Sequence, residues 1–321
     1  MSEITALGTG RAAHRSVAVG LRLAALSVGA FAVVGAVYLL SAQTARGQHI
    51  ENVLYESRRQ QAAGRSSTAL ELLATISVWS LVAAILFVML VALARGRPRL
   101  ALGAGAIIGV SIVTTEVLKK RVLARPALDP GIPEALLPNV FPSGHTTIAV
   151  ATAVALVLVV PYRLRGPAAV VGGTYAAGVA VATLEAGWHR TSDALGAIFL
   201  VAGMALGACA ALILWRGAGR PDERPPMWAW VPLATTAAVC SLVVVLGGPR
   251  TVRSIDRGAL TDVGVRDGFA VTATLVVLAV ALVMVLLLTV LHDVSLDAPG
   301  TAAERELDDD GRVAAGGAGT R

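Results

Sequence analysis

The chain has little charge. Of its 321 residues only 15% are Asp, Glu, Lys or Arg, whereas 55% are hydrophobic. That balance excludes an ordinary soluble domain. Cysteine is scarcer still. Cys209 and Cys240 both fall inside apolar runs, so they read as small packing residues and not as a disulfide or metal site. The carboxylates form no cluster of the kind that holds Mg²⁺, and nothing in the chain calls for a cofactor. Basic and aromatic residues do not interleave, which argues against a nucleic-acid partner despite a formal charge of +6. Most arginines instead flank hydrophobic runs, where they fix topology. There is no internal repeat of the helical-array type.

What fills the chain is uncharged sequence. Leu23–Ala42, Leu72–Ala94, Leu100–Thr115, Thr146–Tyr162, Gly166–Leu184, Ala194–Trp215, Met227–Pro249 and Phe269–Leu291 contain no Asp, Glu, Lys or Arg. Most approach the ~20 residues that cross a ~30 Å hydrocarbon core. At that length only helices satisfy their own backbone hydrogen bonds in lipid. The expectation is an all-α, polytopic transmembrane bundle of about eight spans, in which Leu100–Thr115 is also compatible with a re-entrant helix. The first run is longer than the ~7–15 residues of a signal-peptide core, so it reads as a retained anchor among membrane lipids.

Alternation of spans puts residues 43–71, 116–145 and 250–268 and the short loop containing His189 on one side. The other side receives short, nearly acid-free loops bearing arginine. These favour that side as cytoplasmic and the first as the extracytoplasmic face of a cell membrane. Residues 43–71 are long enough to fold over a site as a lid. From residue 293 the chain turns acidic and then Gly/Ala-rich, without apolar periodicity, and reads as a disordered tail. Gly105-xxx-Gly109 and Gly203-xxx-Gly207 suggest close helix packing.

Chemistry concentrates where polar loops enter spans. Two of only five histidines stand there. His189 and Asp193 are four apart and share a helix face. An Asp that accepts the Nδ1 proton leaves Nε2 bare for nucleophilic attack. The alternative is an Asp, with Ser192 beside it, capping the following helix. Upstream, Pro142-Ser143-Gly144-His145 opens another run. Ser143 is a strong N-cap, Gly144 lets the backbone approach a ligand, and the helix start offers amides to an anion. His145 lies in that first turn, able to protonate a leaving oxygen. Lys119-Lys120-Arg121-Val122-Leu123-Ala124-Arg125-Pro126 adds positive charge suited to phosphate oxygens. Glu116 and Glu185 read as structural partners of these groups.

A basic stretch ending in Arg-Pro, then Pro-Ser-Gly-His, then His-xxx-Asp, interleaved with spans in this order, resembles the type 2 phosphatidic acid phosphatase superfamily. That superfamily includes membrane lipid phosphatases and soluble vanadium haloperoxidases. The resemblance covers roughly residues 70–215. It implies a six-helix phosphatase-like core within residues 23–215, preceded by a cytoplasmic segment 1–22 and followed by two additional spans in 216–292 and the tail 293–321. It also implies roles: His189 as nucleophile oriented by Asp193, and His145 as acid and then base. Lys119 or Lys120, Arg125, Ser143 and Gly144 would bind the phosphate, without a metal. Two departures stand out. Lys119 lies one residue nearer to Arg125 than the family's spacing, and Thr183 occupies the place of an arginine six residues before the nucleophile. Arg190 is the candidate to replace that charge. The implied function is a membrane hydrolase acting on a lipid phosphate or polyprenyl diphosphate through a phosphohistidine. The rival is a lipid-phosphate binding or transport protein with a degenerate site. Haloperoxidase chemistry is disfavoured because those relatives are soluble.

Overall fold

The computed structural model describes residues 2–62, 67–130, 139–217, 227–258, 262–292, 294 and 296, with side chains described for all of these except 2–13, 57–62, 67, 227, 229, 262, 263 and 265. Ten α-helices follow in order: α1 Ser2–Ala42, α2 Ala45–Ala62, α3 Ser67–Ala74, α4 Val78–Ala94, α5 Pro98–Val117, α6 Gly144–Val159, α7 Arg165–Glu185, α8 Thr191–Arg216, α9 Val231–Asp256 and α10 Asp262–Val290. A π-helical turn, Leu118–Val122, continues α5. No strand occurs among the described residues.

Over the described residues the protein is an all-α polytopic bundle, and each of the eight uncharged runs is mainly helical. Six helical stretches are long and apolar enough to cross a membrane by themselves: His14–Ala42, Pro98–Val122, Tyr162–Glu185, Thr191–Arg216, Val231–Asp256 and Arg266–Val290. The other two runs depart from simple spans for visible reasons. Leu72–Ala94 is broken into α3 and α4, bent by 61°. Ser77 causes the break by capping α4: its N–H donates to Ser80 Oγ at 2.8 Å, and Ser80 N–H donates to Ser77 Oγ at 3.1 Å. The sixth helix has 16 residues, eleven of them buried. Enclosed by protein, α6 need not match the thickness of lipid.

With α8, α6 forms the centre of the bundle, and α1, α4, α5, α7 and α10 surround the pair. Small residues bring the helices close. Helix α1 runs along α8 through the Gly203-xxx-Gly207 ridge: Ser27 Oγ donates to the Gly203 carbonyl at 2.7 Å, and a Cβ at Gly203 would meet the Phe31 ring at 2.9 Å. The Gly105-xxx-Gly109 pair is only half used, against Met89 at Gly105 and open space at Gly109. Helix α10 is tied to the start of α7. Arg165 stacks 3.9 Å over the Tyr162 ring and donates to the Leu291 carbonyl at 3.3 Å, while the Tyr162 hydroxyl donates to the Val294 carbonyl. Outward faces carry large exposed apolar side chains such as Trp79, Leu86, Leu90, Leu242 and Val245, as lipid-facing surfaces do. The tail from 297 onward lies outside the described residues.

The loops that alternation places on one side meet at one end of the bundle. Arg46 in α2 pairs with Asp256 at the end of α9 at 3.0 Å, and other α2 residues touch the 123–129 stretch and the start of α8. Phe141 plugs this end. It is buried beside Gly196, where an added Cβ would lie 2.3 Å from its ring. Gly196→Val is therefore expected to overpack the contact and destabilise the fold by about 1–3 kcal/mol. Melting of the purified protein in detergent checks this; an unchanged melting temperature contradicts the packing account.

Candidate active site

The turn between α7 and α8 presents His189. Gly187 has φ of 65°, a left-handed conformation that costs glycine little. The Trp188 and His189 N–H groups both donate to the Thr183 carbonyl, at 3.0 and 3.2 Å. Arg190, and not Ser192, takes the N-cap position of α8. Asp193 Oδ2 accepts the Arg190 N–H at 2.8 Å and lies 3.4 Å from His189 Nδ1. The two alternatives for Asp193, helix cap and imidazole partner, thus meet in one oxygen. The imidazole contact is long, as such pairs often are before a ligand closes the site. A carboxylate facing Nδ1 favours the tautomer with its proton there, which leaves Nε2 as the ring's acceptor.

Ser143 caps α6, and its Oγ accepts the Thr146 N–H at 3.4 Å. Its own N–H donates to the Asp193 carbonyl at 2.9 Å, which fastens the starts of α6 and α8 together. A Cβ on Gly144 would stand 3.6 Å from Lys119 Nζ and 3.7 Å from Glu116 Oε1, which places the ammonium beside the start of α6. The His145 ring contacts Trp188, centroids 5.5 Å apart, and feels the charges of His189 and Lys119.

The π-turn spreads the basic run around the helix end, and its two lysines part company. Both pair with Glu116, at 2.9 and 2.8 Å, but the Lys119 side chain is 18% exposed and that of Lys120 68%. Lys120 is directed to solvent, while Lys119 joins the histidines. The Asn139 amide donates to the Lys119 and Leu123 carbonyls and so braces the path from the π-turn toward Arg125.

Helix α2, within the 43–71 segment, supplies further side chains. Glu51 is largely enclosed, its side chain 13% exposed. Ser192 N–H donates to Glu51 Oε1 at 2.9 Å, the Ser192 hydroxyl donates to Oε2 at 2.8 Å, and Arg125 lies 3.6 Å from Oε2. Asn52 Oδ1 accepts from both arginines, Arg190 Nε at 3.1 Å and Arg125 Nη2 at 3.4 Å, and Arg190 stacks on the Tyr55 ring. Asn52 Nδ2 donates to Asp129, and the Gln48 amide donates to the Pro126 carbonyl. Gln48, Glu51, Asn52 and Tyr55 follow an i, i+3, i+4, i+7 spacing, a one-faced stripe that could have been read from sequence. Thr183 is fully buried, and its hydroxyl donates to the Ala180 carbonyl. Among the described residues no group of three His, Cys, Asp or Glu side chains is placed to hold a metal ion.

Burial, and secondarily the charge of Asp193, push the Glu51 pKa above the ordinary carboxylate value, against the opposing Ser192 and Arg125 contacts. Burial and then the nearby Arg190 charge press the Arg125 guanidinium downward. The folded state therefore keeps a proton on Glu51 to higher pH than the unfolded chain does. Stability gains from this group as pH falls through the raised pKa toward the ordinary carboxylate range. Glu51→Gln should flatten that part of the profile, read as melting temperature against pH in detergent. A wild-type slope retained in the variant contradicts the assignment.

Residues 100–223 match the family model described as the PAP2 superfamily. No curated protein and no solved structure matches the chain. The matched stretch runs from α5 past the end of α8 and includes Lys119, Arg125, the Ser143–His145 turn and the His189–Asp193 turn. It leaves out α1 to α4, α9 and α10, and with them Glu51 and Asn52. Over residues 100–223 this multi-pass chain is thus similar to the PAP2 superfamily, a family that implies phosphatase-type hydrolysis of phosphate esters.

Proposed function

We propose that the protein is an integral membrane phosphatase that hydrolyses a lipid phosphate or isoprenoid diphosphate through a phosphohistidine, without a metal, at the extracytoplasmic face of the cell membrane. The observation that carries this reading is the meeting of two histidines from different helix starts. His189 is backed by Asp193, and His145 stands beside Gly144 and Lys119.

In the first half-reaction His189 Nε2 attacks phosphorus, a P–N bond forms, and the P–O bond to the leaving group breaks. His145 gives its proton to the departing oxygen. In the second, His145 takes a proton from water, the water oxygen attacks phosphorus, and the P–N bond breaks to release phosphate and free His189. The imidazolium generated at His189 is steadied by Asp193, whose carboxylate is already desolvated and aligned. Lys119, Arg125, Arg190, the Ser143 hydroxyl and the Gly144 amide hold the phosphoryl oxygens as charge spreads over them. Lys120 plays no direct part in this scheme, since its largely exposed side chain pairs with Glu116.

Arg190 takes the place of the family arginine absent at Thr183. Its support is the amide oxygen of Asn52, which it shares with Arg125: the two guanidiniums converge from different loops. In the substrate complex the phosphoryl oxygens would take over the partners that Glu51 and Asn52 now provide. The same arrangement gives the rival, a binding or transport protein, its one foothold, because both arginines are occupied by the protein's own α2.

Phosphate release by the purified protein separates the two. Steady release from a lipid phosphate or prenyl diphosphate in the presence of chelator is expected; binding without release favours the rival. His189→Ala should abolish turnover and trapped acid-labile phosphoprotein while leaving membrane insertion intact. Arg190→Ala should lower kcat/KM roughly 10- to 100-fold, the worth of a charge-assisted contact. Near-normal activity in that variant removes Arg190 from the phosphate site.

A further inference from the structure

A groove of about 310 Å³ adjoins His189, and the PAP2 match accounts for only one of its sides. Its polar end is made by His189, Arg190 and Ser192 at the start of α8, with Glu51 above them. Away from that end the walls become apolar. Val37 and Leu40 of α1 form one flank, Phe269 and Leu275 of α10 the other, Leu195 of α8 the floor, and Leu54 of α2 the roof. Leu40 is 67% exposed, so the α1 flank of the groove reaches the outer surface of the bundle, with α10 as the facing wall. Both flanking helices contain stretches apolar enough to span a bilayer, so that outer surface faces hydrocarbon.

We propose that this groove holds the first stretch of a single hydrocarbon chain attached to the phosphate that His189 attacks. The inference rests on the phosphatase reading and adds the chain-recognition site to it. Three observations select this occupant. The cationic Arg190 stands at one end only, which matches an amphiphile with one charged head. The apolar walls would be left against water by a short polar ester, but they are covered by methylenes. The volume lies at the bottom of the ~300–1,000 Å³ range of ligand clefts, which suits one chain and not a pair lying side by side.

The assignment gives α10 a purpose. Fixed at its far end by Tyr162 and Arg165, it brings Phe269, Thr272 and Leu275 to the groove. Chain selectivity then resides in residues outside the matched phosphatase core. Thr272 occupies the middle of the α10 wall, where a larger side chain would fill the space without touching the phosphate-binding groups.

The test compares dodecyl phosphate with ethyl phosphate, which share a headgroup and differ in the chain. Thr272→Trp should lower kcat/KM for dodecyl phosphate by about tenfold or more, since each methylene kept out of an apolar site forfeits a factor of roughly four. Hydrolysis of ethyl phosphate should stay within twofold of wild type. Leu282→Trp, on an exposed face of α10 away from the groove, should alter neither. Equal loss on both substrates, or no loss on either in a folded Thr272→Trp protein, overturns the proposal.

A second measurement is independent of turnover. Dodecyl phosphate carrying a diazirine in mid-chain should label Val37, Phe269 or Leu275 in the full-length protein, in competition with unlabelled dodecyl phosphate. Labelling there without any phosphate release keeps the groove and sinks the phosphatase reading. Release accompanied by labelling elsewhere does the reverse.

Discussion

A carboxylate buried where a polar loop enters a membrane bundle must be paired or it costs several kcal/mol. Asp193 is that group, 1% exposed, and much of the site follows from how it is satisfied. One of its oxygens takes the Arg190 amide and faces the His189 imidazole, while its backbone carbonyl takes the Ser143 amide. The same residue therefore caps α8, faces one histidine, and ties α8 to the helix that carries the other. A second, largely enclosed acid, Glu51, grips the neighbouring Ser192 from outside the matched core. Two acids side by side are tolerated because Arg125 and Arg190 close over them.

The fold was legible in the sequence because its signal is physical exclusion. Charges cannot sit cheaply in lipid, so charge-free runs of about twenty residues mark helices. All eight runs are mainly helical, including Leu100–Thr115, which becomes an α5 long enough to span. Less legible were features set by a few local hydrogen bonds. Ser77 and Ser80 break one run into a bent pair, and nothing in its hydropathy announces this. Alternation of spans, a counting argument, puts the four loops on one side, and the contacts of α2 with Pro126, Ser192 and Asp256 bring residues of all four together. The side of the membrane is a separate matter that depends on arginine bias alone.

Within the candidate site, legibility followed sequence proximity. The Pro-Ser-Gly-His turn and the His-xxx-Asp pair were visible because each is a local helix start whose partners lie within a few residues. Arg190 stood out only against the unfilled place at Thr183, and its meeting with Arg125 depends on Asn52, well over one hundred residues upstream. Glu51 and Asn52 were hidden by the opposite habit of reading. In a polar segment of mixed charge, a polar stripe looks like a solvated face until something is found to cover it. The separation of Lys119 from Lys120 was likewise set by the π-turn, which redirects neighbours that sequence spacing alone leaves equivalent.

One amide oxygen shared by two guanidiniums has a corollary for binding. Like charges drawn together in a desolvated pocket repel, and here the Asn52 carbonyl dipole and the nearby Glu51 and Asp193 side chains offset that repulsion. On the proposed reading, an incoming phosphoryl dianion would have to displace these internal partners whether or not it carries a hydrocarbon tail, so inorganic phosphate would compete with the ester for the same pair of arginines.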